Sequence, residues 1–275
     1  MKRYRILSFD FDTRALTFDT IEDHWEEPVK ALHRQNCENT INGLKWEFGE
    51  RNFEQKLENF KAIGSKPFSV VAFHNRFFSQ ARSAFVNCEY YPALTGVCAL
   101  GERVLNHLLI GLREKYRWHE HCKRVFRKDS FDYWPLAIDV LADWGILQPA
   151  TTESFRRLAE KRNAAIHFNP EADTNDRQLA LDAIKNFGEI IACQFSAFGK
   201  LPWLLCVPGE MYIAKDWENH PFIEFVYHPN CLYLGYKHQV LSAFPWCIQE
   251  AEDYAEANVS DEEFVVLRTD FQSAA

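Results

Sequence analysis

Between residues 92 and 199, apolar side chains recur every three or four positions through four successive stretches, and this period constrains the fold more than any other feature. Residues three and four apart share one face of a helix. The first stretch opens at Pro92 and carries Val97, Val104, Leu105, Leu108 and Leu112 as its buried stripe. The second covers residues 131–144 and is stopped by Gly145. The third begins near Thr152, with Glu153 in its favourable first turn, and runs to His167 before Asn169-Pro170 ends it. The fourth covers residues 175–197 and stops at Gly199. Four amphipathic helices joined by shortish links predict a bundle.

The two ends read differently. Residues 4–19 alternate, with Leu7, Phe9 and Phe11 on one face and Ser8, Asp10 and Asp12 on the other, then Leu16 and Phe18 after a turn. That pattern predicts a two-stranded hairpin with one wet face. Residues 21–63 turn helical and charged, and residues 69–86 predict a further apolar helix. After Pro202, residues 211–213, 222–227 and 231–236 read as strands, with His228-Pro229-Asn230 as a turn and a last strand at 264–267. The expected fold is α+β, mainly α: a central bundle of four to five helices with β-rich N- and C-terminal segments that could share one sheet. The expected divisions are 1–91, 92–199 and 200–275.

A hydrophobic share of 47% beside 25% charged residues excludes disorder, collagen-like repeats and coiled coil. The net charge of −8 argues against coating nucleic acid through bulk charge, but its distribution is uneven. Residues 94–167 carry 12 Lys/Arg against 9 Asp/Glu, whereas residues 201–275 carry 3 against 12. The eight cysteines form no CxxC pair, no secretory leader or membrane-spanning run is legible, and the expectation is a cytoplasmic protein with reduced thiols.

The stretch most suggestive of chemistry is Leu158-Ala-Glu-Lys-Arg-Asn-Ala-Ala-Ile-His-Phe168. On a helix Asn163 and His167 are neighbours at i and i+4, and the long Arg162 side chain can swing towards them. A cation, an amide and a group titrating near neutrality suit phosphodiester cleavage by an adjacent 2′-hydroxyl. Histidine moves the proton, arginine stabilises the phosphorane charge and asparagine orients. The run Arg162-Asn163-Ala164-Ala165-Ile166-His167 resembles the Arg-polar-x3-His signature of the HEPN superfamily, in which a helical bundle of four or five helices carries the motif on its third long helix. The resemblance covers roughly residues 92–199. It implies a metal-independent, cofactor-free endoribonuclease whose active site forms where two protomers of a homodimer face one another. Many members of the family are toxins or antiviral-defence effectors, so RNA would be one partner and an inhibitory antitoxin or sensor protein another.

In such enzymes the first bundle helix often brings a polar residue to the motif, so Glu102 is placed to hold Arg162 by a bidentate pair. Glu102, Asn106, Leu109 and Arg113 form a stripe beside the core stripe. Residues 113–128 hold Arg113, Lys123, Arg124, Arg127 and Lys128 among their basic residues, interleaved with Tyr116, Trp118 and Phe126. Cations neutralise phosphates and aromatics stack on unpaired bases, which outlines a single-stranded RNA track; the plainer reading is a solvated face. The acidic stretch 250–263 would shield that basic surface. The alternative to a nuclease is a non-catalytic HEPN-like module that binds RNA, a nucleotide or a partner.

Three other signals carry less. Phe9-Asp10-Phe11-Asp12-Thr13 resembles the start of haloacid-dehalogenase-like phosphatases, but no alternating βα pattern follows and no later Asp-Asp pair could hold magnesium. His119, His121 and Cys122, and His228 with Cys231 and His238, lack the paired spacing of zinc sites, so no metal is expected. His74 lies on an aromatic helix from which it could reach the motif.

Overall fold

A computed structural model describes residues 2–120, 122–166, 174–243 and 245–274. The chain divides into two compact units, residues 10–195 and residues 1–9 with 196–275. Helices dominate, and the sheets are small and antiparallel, giving a mainly α, α+β fold. The division passes through the N-terminal strands: β1 (Arg3–Ile6) joins the smaller unit and β2 (Asp10–Asp12) the larger. The expected hairpin over 4–19 is therefore not formed. Asp12 Oδ1 accepts the backbone N–H of Arg14 at 3.0 Å, and the chain winds into a 3-10 turn over Arg14–Phe18. Aspartate readily closes such a turn.

In the larger unit β2 pairs antiparallel with β3 (Lys66–Ser69). Around this ribbon lie α1 (Glu27–Phe48), α2 (Phe53–Ile63) and α3 (Ala72–Val86). The expected helix over 69–86 gives its first residue to β3. Helix α4 (Tyr90–Leu112) is central and packs on α3, on α6 (Trp134–Asp143), on α7 (Pro149–Ile166) and on α8 (Asp176–Ile190). A short α5 (Cys122–Val125) lies between α4 and α6, and a π-turn over Ile191–Phe195 closes the unit. The expected stripe of Val97, Val104, Leu105, Leu108 and Leu112 is buried, and so are Leu94, Leu100 and Leu109 on its flanks. Neighbours on several sides account for that breadth, and each buried leucine stabilises by roughly 1.5–3 kcal/mol. The stretch Tyr90–Tyr116 is long and apolar enough to cross a membrane by length and composition, yet 56% of its apolar window is buried inside the protein.

In the smaller unit the two chain ends share one sheet, of order β4-β5-β1-β6. Its other strands are β4 (Leu204–Val207), β5 (Glu210–Ile213) and β6 (Cys231–Leu234). The register sets Arg3 opposite Leu234 and Arg5 opposite Tyr212. Strands β7 (His238–Ala243) and β8 (Trp246–Glu250) form a separate hairpin. Two expected strands prove helical. Residues Ile223–Tyr227 form a π-turn, because Phe222, Ile223 and Tyr227 are the buried ones and their spacing is not alternating. Residues 264–267 lie in α9 (Asp261–Ala274). Ser260 Oγ accepts the N–H of Glu263 at 3.2 Å, and the Glu263 carboxylate accepts that of Ser260 at 2.9 Å. This capping box starts the helix.

Helix α9 is held by charge as well as by Phe264. Arg268 is buried and grips Glu210 through two contacts of 2.8 and 2.7 Å, while Tyr212 Oη donates to the same carboxylate at 2.6 Å and Arg5 lies 2.9 Å away. Burial pushes the Glu210 carboxyl up, but the hydrogen bonds from Arg268 and Tyr212 and the charge of Arg5 outweigh it and leave the group below its ordinary value. Arg3, wholly buried, meets Asp261 at 2.8 Å and the carbonyl of Val259 at 2.9 Å. The end of the acidic stretch 250–263 is thus part of a core-forming helix, and its Asp261 is committed to β1.

Candidate active site on the bundle

Helix α7 presents Arg162 and Asn163 in its last described turn, Arg162 half-buried and Asn163 exposed. His167 lies outside the described residues. Across the bundle, Arg162 Nη2 sits 2.8 Å from Glu102 Oε2 on α4. The same oxygen accepts the indole N–H of Trp134 at 3.1 Å, and the Arg162 guanidinium stands 5.7 Å from the Trp134 ring centroid. Three elements therefore meet in one constellation: a carboxylate from α4, an indole from the first turn of α6 and the guanidinium from α7. One hydrogen bond from the indole and one ion-pair contact from Arg162 converge on the same carboxylate oxygen, so the pair is a single contact where a bidentate one was expected. A cation over an indole face adds about 0.5–1 kcal/mol at such partly exposed sites.

Trp134 is absent from the residues that sequence reasoning selects. Its signal lay in Gly101, the neighbour of Glu102 within an otherwise bulky stripe. A Cβ at Gly101 would stand 2.6 Å from Trp134 Cη2 and 2.8 Å from Leu158 Cδ2. The glycine lets the indole cross α4 at close range and reach Glu102. Burial pushes the thiol of Cys98, one turn before Glu102, up to about 12, which keeps it protonated at pH 7.

The rest of the α4 stripe serves the bundle. Asn106 accepts the N–H of Phe131 at 2.6 Å and donates to the carbonyls of Phe131 and Glu102, each at 2.9 Å. These bonds fasten the chain just ahead of α6, so Asn106 acts on Trp134 through the backbone. Leu109 is fully buried. Arg113 Nη1 donates to the carbonyl of Lys128 at 2.5 Å, which commits this expected RNA contact to holding the 122–128 segment. Lys123, Arg127 and Lys128 are exposed, and the side chain of Arg124 lies outside the described residues. Of the interleaved aromatics, Trp118 is 78% exposed, whereas Tyr116 is buried in a parallel stack on Trp144 at 4.7 Å. Arg117 covers Phe126, 4.7 Å from its centroid, and pairs with Glu114 at 2.6 Å. Fewer of these side chains than the sequence suggests are left to meet a base or phosphate: Trp118, Lys123 and Arg127 are exposed, whereas the Lys128 ammonium lies 5.8 Å from the Phe131 ring centroid.

His74 is buried between α3 and α4, its ring 5.4 Å from that of His107. Burial, the neighbouring His107 and Arg103 push it down to about 4, so it is neutral at pH 7. It faces the side of α4 that carries Arg103 and His107, one residue round from Glu102 and Asn106. Among the described residues no group of three or more His, Cys, Asp or Glu side chains is arranged to hold a metal ion. His121 lies outside the described residues. His228 stacks on Tyr4 at 3.8 Å, and His238 meets Glu250 at 3.1 Å.

Comparison with models of known protein families, with curated proteins and with solved structures returned no match to this chain.

Proposed function

We propose that the chain is a HEPN-like, metal-independent endoribonuclease that acts as a homodimer, of the kind used as a toxin or antiviral-defence effector. The observation that carries this reading is the Arg162–Glu102 contact at 2.8 Å, braced by the Trp134 indole. An arginine that merely solvates a helix end has no need of a carboxylate and a tryptophan from two other helices. Here the arginine of the motif is anchored at its root in the bundle, leaving its remaining N–H donors to be aimed at a phosphate.

In this reading the 2′-hydroxyl of the RNA attacks the adjacent phosphorus. One His167 takes the hydroxyl proton, the O5′–P bond breaks, and the His167 of the second protomer gives a proton to the departing O5′. Arg162 neutralises charge on the non-bridging oxygens as the phosphorane forms, and Asn163 orients the phosphate. The products are a 2′,3′-cyclic phosphate and a 5′-hydroxyl. Glu102 and Trp134 are positioning residues: they touch Arg162, not the RNA.

The test is cleavage of total RNA in the presence of a chelator by wild type, His167→Ala and Glu102→Gln proteins. The expected result is cleavage by wild type, loss with His167→Ala and at least a tenfold decline with Glu102→Gln, with the helical spectrum retained. Full activity of His167→Ala would remove the histidine from the chemistry. Wild-type protein that retards RNA but leaves it intact would favour a binding module, a reading to which the exposed Trp118, Lys123 and Arg127 of this segment lend support.

A further inference from the structure

A second polar centre lies in the larger unit, among residues that the nuclease chemistry does not use. Strand β2, the 3-10 turn after it and the facing parts of α1, α2 and α3 line a cavity of about 420 Å³ that is open to solvent on one side. That lies within the roughly 300–1,000 Å³ usual for small-molecule sites. One wall is apolar, formed by Phe48, Phe60, Ile63 and Val86; the other carries six charged side chains.

Five of the six are committed to one another. Arg14 grips both oxygens of Asp12 at 3.0 and 2.8 Å and reaches Glu47 at 2.6 Å. Lys66, 3% exposed, is paired with Asp10 and donates to Ser79 Oγ at 2.7 Å and to the carbonyl of Asn75 at 3.2 Å. The sixth is Arg82, only 6% exposed. Its guanidinium donates from Nη2 to the carbonyl of Gly64 at 2.5 Å and stands 5.7 Å from the Phe78 ring. Among the described residues no carboxylate lies within ion-pair distance of it, and no other acceptor takes its remaining N–H groups.

A guanidinium has five donors, and a buried charge without a counter-ion is costly. Burial pushes Arg82 down to about 10, which still leaves it charged at pH 7. Arg14 is shifted the other way by its two carboxylates. The three cations and three anions of the wall sum to zero, and the Asp12 charge favours the charged form of Arg82 from beyond ion-pair distance. What Arg82 lacks is acceptors for its N–H groups, and a monoanion that supplies them adds one net negative charge beside Asp12 and Glu47 where a dianion adds two.

We infer that this cavity is a binding site for a small organic monocarboxylate, its carboxylate on the Arg82 guanidinium and its apolar body against Phe60, Ile63 and Val86. A carboxylate matches the planar fork of arginine bidentately. Ser83, which also lines the cavity, offers a hydroxyl beside it. The inference is independent of the bundle site.

The test is calorimetric titration of the full chain with benzoate, 3-phenylpropionate and octanoate, with benzamide as the neutral isostere and phenyl phosphate as the dianionic one. The expected result is saturable binding of at least one carboxylate, at least tenfold tighter than benzamide and phenyl phosphate. Arg82→Gln should lower that affinity at least tenfold. Because Arg82 also holds Gly64, a second variant, Ser83→Phe, keeps the guanidinium and fills the cavity; it should abolish binding while the thermal midpoint stays within a few degrees of wild type. Carboxylates that fail to bind, that bind no better than benzamide or phenyl phosphate, or that bind the folded Ser83→Phe protein as well as wild type overturn the inference.

Discussion

Gly101 offers a sharp check on how the bundle site is built, because two opposing effects of known size meet there. Replacing an interior helical glycine by alanine normally stabilises, by about 0.8–1 kcal/mol, through the lost flexibility of the unfolded chain. Gly43 in α1 has nothing within 4 Å of an added Cβ, so Gly43→Ala should realise that gain. At Gly101 the added Cβ meets Trp134 at 2.6 Å and Leu158 at 2.8 Å, both well inside van der Waals contact. Trp134 and Leu158 are buried, and the indole is further tied to Glu102. Overpacking of a dense core costs roughly 1–3 kcal/mol. The net effect of Gly101→Ala is then destabilisation by about 1 kcal/mol, placing the two alanine variants about 2 kcal/mol apart. Urea unfolding followed by circular dichroism at 222 nm measures both. A Gly101→Ala protein as stable as Gly43→Ala would show that Trp134 does not press on α4, and the account of how Glu102 is held would fail.

Four further outcomes are expected. Trp134→Phe removes the indole N–H from Glu102 but keeps most of the packing; it should cost about 1 kcal/mol and reduce RNA cleavage, and undiminished cleavage would separate the indole from Arg162. Ser260→Ala removes one half of the capping box and should lower stability by about 1 kcal/mol in the same unfolding assay, whereas no change would mean that α9 starts without it. Glu210 has a folded value below its ordinary 4.5, so its contribution is complete above that value and is lost as pH falls through the lower folded one; Glu210→Gln should flatten acid unfolding in that window, and an unchanged acid limb would contradict the buried network. His74, pushed down to about 4, should show an imidazole NMR signal that does not move between pH 8 and 6; titration near 6.5 would place it in solvent.

The helices of 92–199 were legible because their apolar period is long and uninterrupted, and the core stripe of α4 follows from it residue by residue. The Glu102–Arg162 proximity was legible as well, since both sit on the polar margin of helices that must pack. Trp134 was legible only by half: Gly101 in a bulky stripe signals that something crosses α4 closely there, but not which residue does. The terminal regions were harder for a physical reason. Alternation over residues 4–12 shows that strands form but not which partner each takes, and β1 finds its neighbours more than 200 positions away at Tyr212 and Leu234. Residues 264–267 have the composition of a strand, and only the Ser260–Glu263 box, together with Phe264 and Arg268 one turn apart, marks them as helix. The cavity at Arg82 left no trace as a site, because Asp10, Asp12 and Arg14 are adjacent in sequence whereas Lys66 and Arg82 reach them only through the fold.

In the proposed reaction the 2′-hydroxyl of RNA is the nucleophile, directed by the motif that begins with Arg162 on α7. An RNA oligonucleotide cleaved by the wild-type protein, then resynthesised with a single 2′-deoxy sugar on the 5′ side of the mapped bond, tests this directly. The expected result is cleavage of the all-ribose strand to a 2′,3′-cyclic phosphate and a 5′-hydroxyl, and none at the substituted position. Cleavage that persists at the deoxy position, or products bearing a 5′-phosphate, would contradict it.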